Sequence, residues 1–173
     1  MIYPTLKTKL TGQLEPGELI RTLVGTDPVF AIAIRNPTPL ENSLLGLLYL
    51  EYNDPHFKIP LYMSLADHYA TCLSYGRQFE MLLSNDADKI DVAGHRYRRG
   101  PGAIVVGDDT VIMTAQSPNP ANPFPLKFVD LKKWELVETP PTQNFVTIYA
   151  WKLRLSGFPE DHELAKPIVV FSI

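Results

Sequence analysis

Groups able to do chemistry are few in this 173-residue chain, and they are scattered. The four histidines are His56, His68, His95 and His162. Three of them stand close to carboxylates, as Asp54-x-His56, Asp67-His68 and Asp161-His162-Glu163. A histidine beside a carboxylate can act as a general base, and two such pairs brought together can hold a divalent metal. No two of these histidines have ligand spacing on one element. His56 and His162 fall in stretches rich in proline and charge, where a solvated surface position is expected. Asp108-Asp109-Thr110 offers two carboxylates, but directly after Gly107 it reads as a tight turn. No metal site and no cofactor are expected.

Cys72 is the single cysteine, so an intrachain disulfide and a zinc site built on several thiolates are excluded. A nucleophilic thiol needs an electropositive, partly exposed setting. Cys72 instead sits between Tyr69 and Leu73 in an apolar stripe, where a free cysteine behaves as a small hydrophobe. The Gly-rich phosphate loops, the Gly-x-Ser-x-Gly elbow, the His-Glu-x-x-His zinc motif and the calcium loop are all missing from the sequence. No catalytic residue is assigned, and the balance leans against an enzyme.

One stretch departs from the overall charge balance: Gly94-His95-Arg96-Tyr97-Arg98-Arg99-Gly100. Guanidinium forks suit phosphate or carboxylate, and an aromatic face suits a nucleic-acid base. The candidate binding residues are therefore His95, Arg96, Tyr97, Arg98 and Arg99, for nucleic acid, an anion or an acidic partner. In an extended strand His95, Tyr97 and Arg99 share one face, and Arg96 and Arg98 the other. Asp86, Asp88 and Asp91 precede the stretch, and Asp108 and Asp109 follow it, so surface salt bridging is the plainer reading. Pro120-x-x-Pro123, in the loop 117–125, has the spacing of a polyproline II ligand, but such spacing arises by chance in proline-rich loops and a simple surface loop is the plainer reading.

The elements that must position these groups are marked out by proline. Sixteen prolines punctuate the chain, and none falls between Pro60 and Pro101. A proline inside a helix costs about 3 kcal/mol. The one main helix is therefore expected near residues 64–84, where Leu65, Tyr69, Cys72, Leu73, Gly76, Phe79 and Leu83 recur at helical spacing. Ser64 would cap it, with Asp67 at the capping-box position. Gly76 weakens its middle, and a break there into helix plus strand is the competing reading.

Elsewhere strands are expected at residues 19–24, 29–35, 44–51, 90–99, 103–107, 110–115, 127–129, 134–137, 145–155 and 167–173. Residues 29–35 and 44–51 are apolar on both faces, as central strands are. Phe145, Thr147, Tyr149, Trp151, Leu153 and Leu155 share one face of the clearest strand. The expectation is a mainly β (α+β) single domain over 1–173. Its antiparallel sheet would fold as a barrel or sandwich, with the helix packed against it.

With 16 basic and 19 acidic residues the net charge is −3, which gives no global case for nucleic acid or an anionic membrane. The apolar runs are too short to span a bilayer, which takes roughly 20 residues. The first residues lack the pattern of a signal peptide, so a reduced, cytoplasmic setting is expected. The leading functional expectation is a non-catalytic interaction or assembly domain that binds a protein partner or a second copy of itself. The alternative is nucleic-acid or anion binding through residues 95–99. A second alternative is an enzyme whose site is assembled from dispersed residues.

The arginine stretch carries +3, so the rest of the chain carries −6. Polyanion binding through it should be weak, local and lost with added salt. The double change Arg96→Ala with Arg98→Ala should abolish such binding. It should barely move the melting temperature, because exposed ion pairs contribute about 0–1 kcal/mol. Unchanged binding places the site elsewhere, and a large loss of stability makes the arginines structural.

Overall fold

Alternation and turn chemistry dominate the local structure. The computed structural model describes residues 6–37, 44–65, 69–92, 100–118, 126–139 and 144–173. The first strands are β1 (Lys7–Leu10), β2 (Leu19–Val24), β3 (Asp27–Arg35), β4 (Leu45–Tyr49) and β5 (Leu61–Ser64). They are followed by β6 (Thr71–Gly76), β7 (Phe79–Leu83), β8 (Ile90–Asp91), β9 (Ile104–Val106) and β10 (Val111–Gln116). The chain ends through β11 (Leu126–Asp130), β12 (Glu135–Val137), β13 (Val146–Ile148), β14 (Ala150–Leu155) and β15 (Val169–Ser172).

Twelve strands form one large sheet, in the order β1-β6-β2-β3-β12-β11-β10-β9-β13-β8 with β4 and β5 branching from it. A small sheet has the order β15-β14-β7 and is antiparallel throughout. Within the large sheet β4 pairs with β3 and β5, and β5 reaches β10. Two joints, Glu135 with Arg35 and Gln116 with Leu61, are single parallel bridges. The large sheet is therefore mixed rather than antiparallel, and the arrangement is not formally a barrel.

The expected helix over 64–84 is not there. Ser64 closes β5, residues 71–76 and 79–83 are strands, and Asp67 lies outside the described residues. Among the described residues the helical segments are 3-10 turns at Thr11–Gln13, Ala87–Lys89 and Glu163–Ala165. None of the described helices is long and apolar enough to cross a membrane. The physical reason lies at Gly76, whose φ of +64° is left-handed and interrupts any helix. The break foreseen there exists, but it separates two strands. Residues on the supposed buried face also disagree with a helix, because Tyr69 is 82% exposed. Burial follows a period of two, with Cys72 and Ser74 inside and Thr71 outside. Pairing of β6 with both β1 and β2 overrides the helical spacing.

The other strand expectations hold in outline, except that of 90–99 only Ile90–Asp91 is a strand and 93–99 lie outside the described residues. β3 and β4 are buried on both faces, between one cluster around Ile32, Ile34 and Leu48 and another around Ala31, Ala33 and Leu47. Residues 103–115 form the β9–β10 hairpin, closed by the Gly107 N–H donating to the Thr110 carbonyl at 2.9 Å. β8 pairs with β13 rather than with β9, because β13 lies between them. The alternating run 145–155 is buried at all six positions, yet it serves two sheets. Its first part, β13, belongs to the large sheet and its second part, β14, to the small one.

Trp151 joins the two sheets. It is 1% exposed, and its indole N–H donates to the Gly102 carbonyl at 2.9 Å. Phe171 of β15 stacks on it at 5.1 Å between ring centroids. Gly102 has φ of +91°, and a Cβ there would collide with the Phe171 ring. Trp151→Ala should cost about 3–5 kcal/mol. Against a total of roughly 5–15 kcal/mol this leaves a poorly folded chain, to be read from the denaturant midpoint. A soluble variant with an unchanged midpoint would show that Trp151 does not hold the sheets together.

Candidate functional site

Among the described residues, those singled out by chemistry do not converge. His95, Arg96, Tyr97, Arg98 and Arg99 lie outside the described residues, as do His68, Pro120 and Pro123. His56 is exposed, and its backbone N–H donates to Asp54 Oδ1 at 2.9 Å. His162 is half-buried, with its ring stacked on Phe158 at 5.0 Å. Asp108 and Asp109 are exposed at the tip of the β9–β10 hairpin. Among the described residues no group of three or more His, Cys, Asp or Glu side chains is placed to hold a metal ion.

Cys72 lies where an inert thiol would. It is 3% exposed within the cluster around Ile20 and Ala31, and its Sγ donates to the Lys9 carbonyl at 3.5 Å. Beside it is a buried polar clamp. Lys9 Nζ donates to Glu18 Oε1 at 2.6 Å, and Ser74 Oγ donates to Glu18 Oε2 at 3.1 Å. The Ser74 hydroxyl also accepts from the Gly76 N–H at 3.1 Å. Both Glu18 oxygens are thus occupied, and the carboxylate ties β1 and β6 to the start of β2. This is a structural use of a carboxylate and a hydroxyl, since Glu18 accepts from Lys9 and Ser74 at once.

The clearest concave surface lies between the sheets. It is a groove of about 390 Å³. Phe79, Met81 and Leu83, alternate residues of β7, line one wall. Val111, Leu131 and Trp134, from β10 and the β11–β12 turn, line the other. Arg77 and Lys132 are the charged residues of its lining. Arg77 also lines a second, polar cavity of about 230 Å³ that holds Lys7, Lys9 and Glu18.

Local chemistry explains why the aromatic wall stands where it does. Asp130 is buried, and its Oδ1 accepts from the backbone N–H groups of Lys132 at 2.8 Å and Lys133 at 3.1 Å. This Asx turn winds the chain back, and the Trp134 N–H closes it on the Asp130 carbonyl at 2.7 Å. Trp134 is left at φ of 54°, a conformation that costs a bulky residue about 1–3 kcal/mol. Its carbonyl accepts from the Arg35 N–H at 2.8 Å, and its ring meets Phe79 at 5.6 Å. Only a glycine fits beneath it, since a Cβ at Gly17 would run into the indole.

β7 also has an open edge. In an antiparallel ladder, hydrogen-bonded pairs alternate with non-bonded ones. The Ser84 N–H donates to the Ala150 carbonyl at 2.9 Å, and the Ser156 N–H to the Gln78 carbonyl at 3.0 Å. The register then gives Glu80 and Leu82 the bonds to β14. The backbone N–H and C=O groups of Phe79, Met81 and Leu83 point the other way. Among the described residues no strand pairs with that edge.

Sequence reasoning missed this site. The alternation of Phe79, Met81 and Leu83 was available as a signal, but the helical spacing absorbed it. No protein-family model matches the chain, and no curated protein and no solved structure matches it.

Burial and the nearby Glu18 carboxylate push the Cys72 thiol above its ordinary pKa, with Lys9 pulling the other way. Folding therefore favours the protonated thiol. Its contribution to stability is complete below the ordinary thiol value and is lost as pH rises through the raised one. A thiol reagent at pH 8 should label the native chain far more slowly than the denatured chain, and Cys72→Ala should leave any binding intact. Rapid labelling of the folded protein would make Cys72 a reactive group.

Proposed function

We propose that this chain is a non-catalytic interaction domain that binds a protein partner, or a second copy of itself, through the groove beside β7. We further propose that its two sheets form a sandwich. In support, the cluster around Ile32 and Leu48 of the large sheet also contains Trp151, Leu153 and Val169 of the small one. The observation that carries the functional reading is the grouping of half-buried Phe79, Met81, Leu83 and Trp134 in one groove, with Arg77 and Lys132 beside them. Half-buried apolar side chains gathered in this way favour a surface that another molecule covers. The dispersal of His56, His162 and Cys72 favours binding over catalysis.

Nucleic-acid or anion binding through residues 95–99 stays the alternative. It rests on the local charge of +3 and is separated from the groove by the Arg96 and Arg98 variants.

The test uses the full chain, immobilised, against a lysate of its source cells, with sedimentation of the free chain alongside. The comparison is Arg77→Glu with Lys132→Glu, both exposed positions. The wild type should retain a specific protein or self-associate, and the variant should do neither. The variant's melting temperature should move by no more than about 4 °C. Equal retention by both moves the interface away from the groove. No retention and no self-association by the wild type counts against the interaction reading itself.

A further inference from the structure

We infer that the groove recognises an extended segment of the partner, added as a fourth, antiparallel strand to the outer edge of β7. Apolar side chains would sit at alternate positions of that segment, with a carboxylate towards its C-terminal end. The inference rests on reading the chain as an interaction domain and goes on to say what chemistry the partner must present.

Three features of the structure converge on it. First, the N–H and C=O groups of Phe79, Met81 and Leu83 face outward on the edge that β14 leaves open. A strand paired there would satisfy them, which is how extended peptides gain affinity from backbone alone. Second, the side chains of the same three residues line the groove. In an antiparallel ladder, residues directly opposite one another project to the same face. Partner residues opposite Phe79, Met81 and Leu83 would therefore place their side chains in the groove against Trp134 and Leu131. Third, Arg77 precedes β7 by two positions, and its exposed guanidinium lies at the Phe79 end. It donates to the Pro16 carbonyl at 2.6 Å and stands 4.0 Å from the exposed Glu15 carboxylate. That distant pair leaves the guanidinium able to engage a better-placed carboxylate. An antiparallel segment brings its C-terminal end to this position. The cations Arg77 and Lys132 in the lining, with no acidic residue among them, select a negative partner over a positive one.

The probe is a fluorescein-labelled acetylated peptide, Val-Thr-Leu-Thr-Val-Thr-Asp-amide, titrated against the full chain by anisotropy. Its register places Val, Leu and Val opposite Leu83, Met81 and Phe79, and Asp opposite Arg77. Methylating the amide nitrogens of Val and Leu should weaken binding at least about tenfold, because each removes a backbone donor that faces β7. Arg77→Glu should weaken binding of the Asp peptide by about tenfold, and replacing its Asp with Lys should restore binding to the variant. Hydrogen exchange supplies the sharpest readout. The amides of Phe79, Met81 and Leu83 should exchange fast in the free chain and become protected with peptide, while those of Glu80 and Leu82 should be protected in both.

Four outcomes overturn the inference. Equal binding of the methylated peptide would mean that the groove fills without strand pairing. Protection of Phe79, Met81 and Leu83 in the free chain would mean that another segment of this chain covers the edge. Binding of dodecanoate without binding of the peptide would make this a site for a small amphiphile. Failure of the peptide while the full chain still captures its partner would refute the extended-segment mode and leave the interaction reading standing.

Discussion

The contact between Trp151 and Gly102 is the constraint on which the architecture hangs. The chain leaves the large sheet at Tyr149 and enters the small one at Ala150, with no loop between β13 and β14. Such a switch is stable only if the small sheet lies back against the large one. Trp151 enforces this by supplying a large buried surface and by donating its indole N–H to a carbonyl in the turn before β9. A buried indole N–H without an acceptor would cost roughly 1–3 kcal/mol, so the hydrogen bond also fixes the angle of approach. Phe171 completes the joint from β15 and uses the space that Gly102 leaves open. Position 102 therefore excludes side chains for two reasons, the left-handed φ and the ring above it.

The groove is a consequence of that joint. β7 belongs to the small sheet, and it is held over Val111, Leu131 and Trp134 only because β14 is pinned. The far wall is set independently, by the Asp130 carboxylate that winds the turn and by Gly17 that makes room for the indole. Trp134 in a left-handed conformation is strain held by its surroundings. Its N–H, its carbonyl and its ring are all engaged, so the rest of the fold offsets the backbone cost. An aromatic wall held in this way on one side, and an alternating strand on the other, give a groove whose shape does not depend on an occupant.

Much of the strand pattern was legible in the sequence because it is written in a period of two. The buried face of residues 145–155 is the plainest case, and the doubly apolar β3 and β4 are another. The switch between sheets at Tyr149 was not legible, because the alternation runs through it unbroken. The false helix came from the same source. In a stretch free of proline, Phe79 and Leu83, four apart, satisfy a helical spacing and an alternating one together. The left-handed Gly76 and the pairing of β6 with β1 and β2 decide between them, and only the former leaves a trace in the sequence. The groove was hidden for a topological reason, since its walls come from distant parts of the chain. Residues 95–99 stood out on charge and one interleaved aromatic, and they lie outside the described residues.

The edges of the two sheets differ in a way that bears on function. An unpaired strand edge invites association, and proteins blunt it with lysine, proline, bulges or very short strands. β1, at one end of the large sheet, carries Lys7 and Lys9. β8, at the other end among the described residues, is Ile90–Asp91. β15 (Val169–Ser172) carries none of these within its range, and Lys166-Pro167 lies before it. β7 has none of these devices. Its one charged residue, Glu80, is engaged with Arg154 at 3.1 Å, and Leu82 is 36% exposed. It is also the one of these edges that adjoins the apolar groove. Among the described residues β7 is thus an unpaired edge beside half-buried Phe79, Met81 and Leu83, an association hazard of the kind that natural edges usually blunt. Retaining that hazard makes physical sense where pairing at β7 is what the surface is for, with Arg77 and Lys132 restricting which strands can add there.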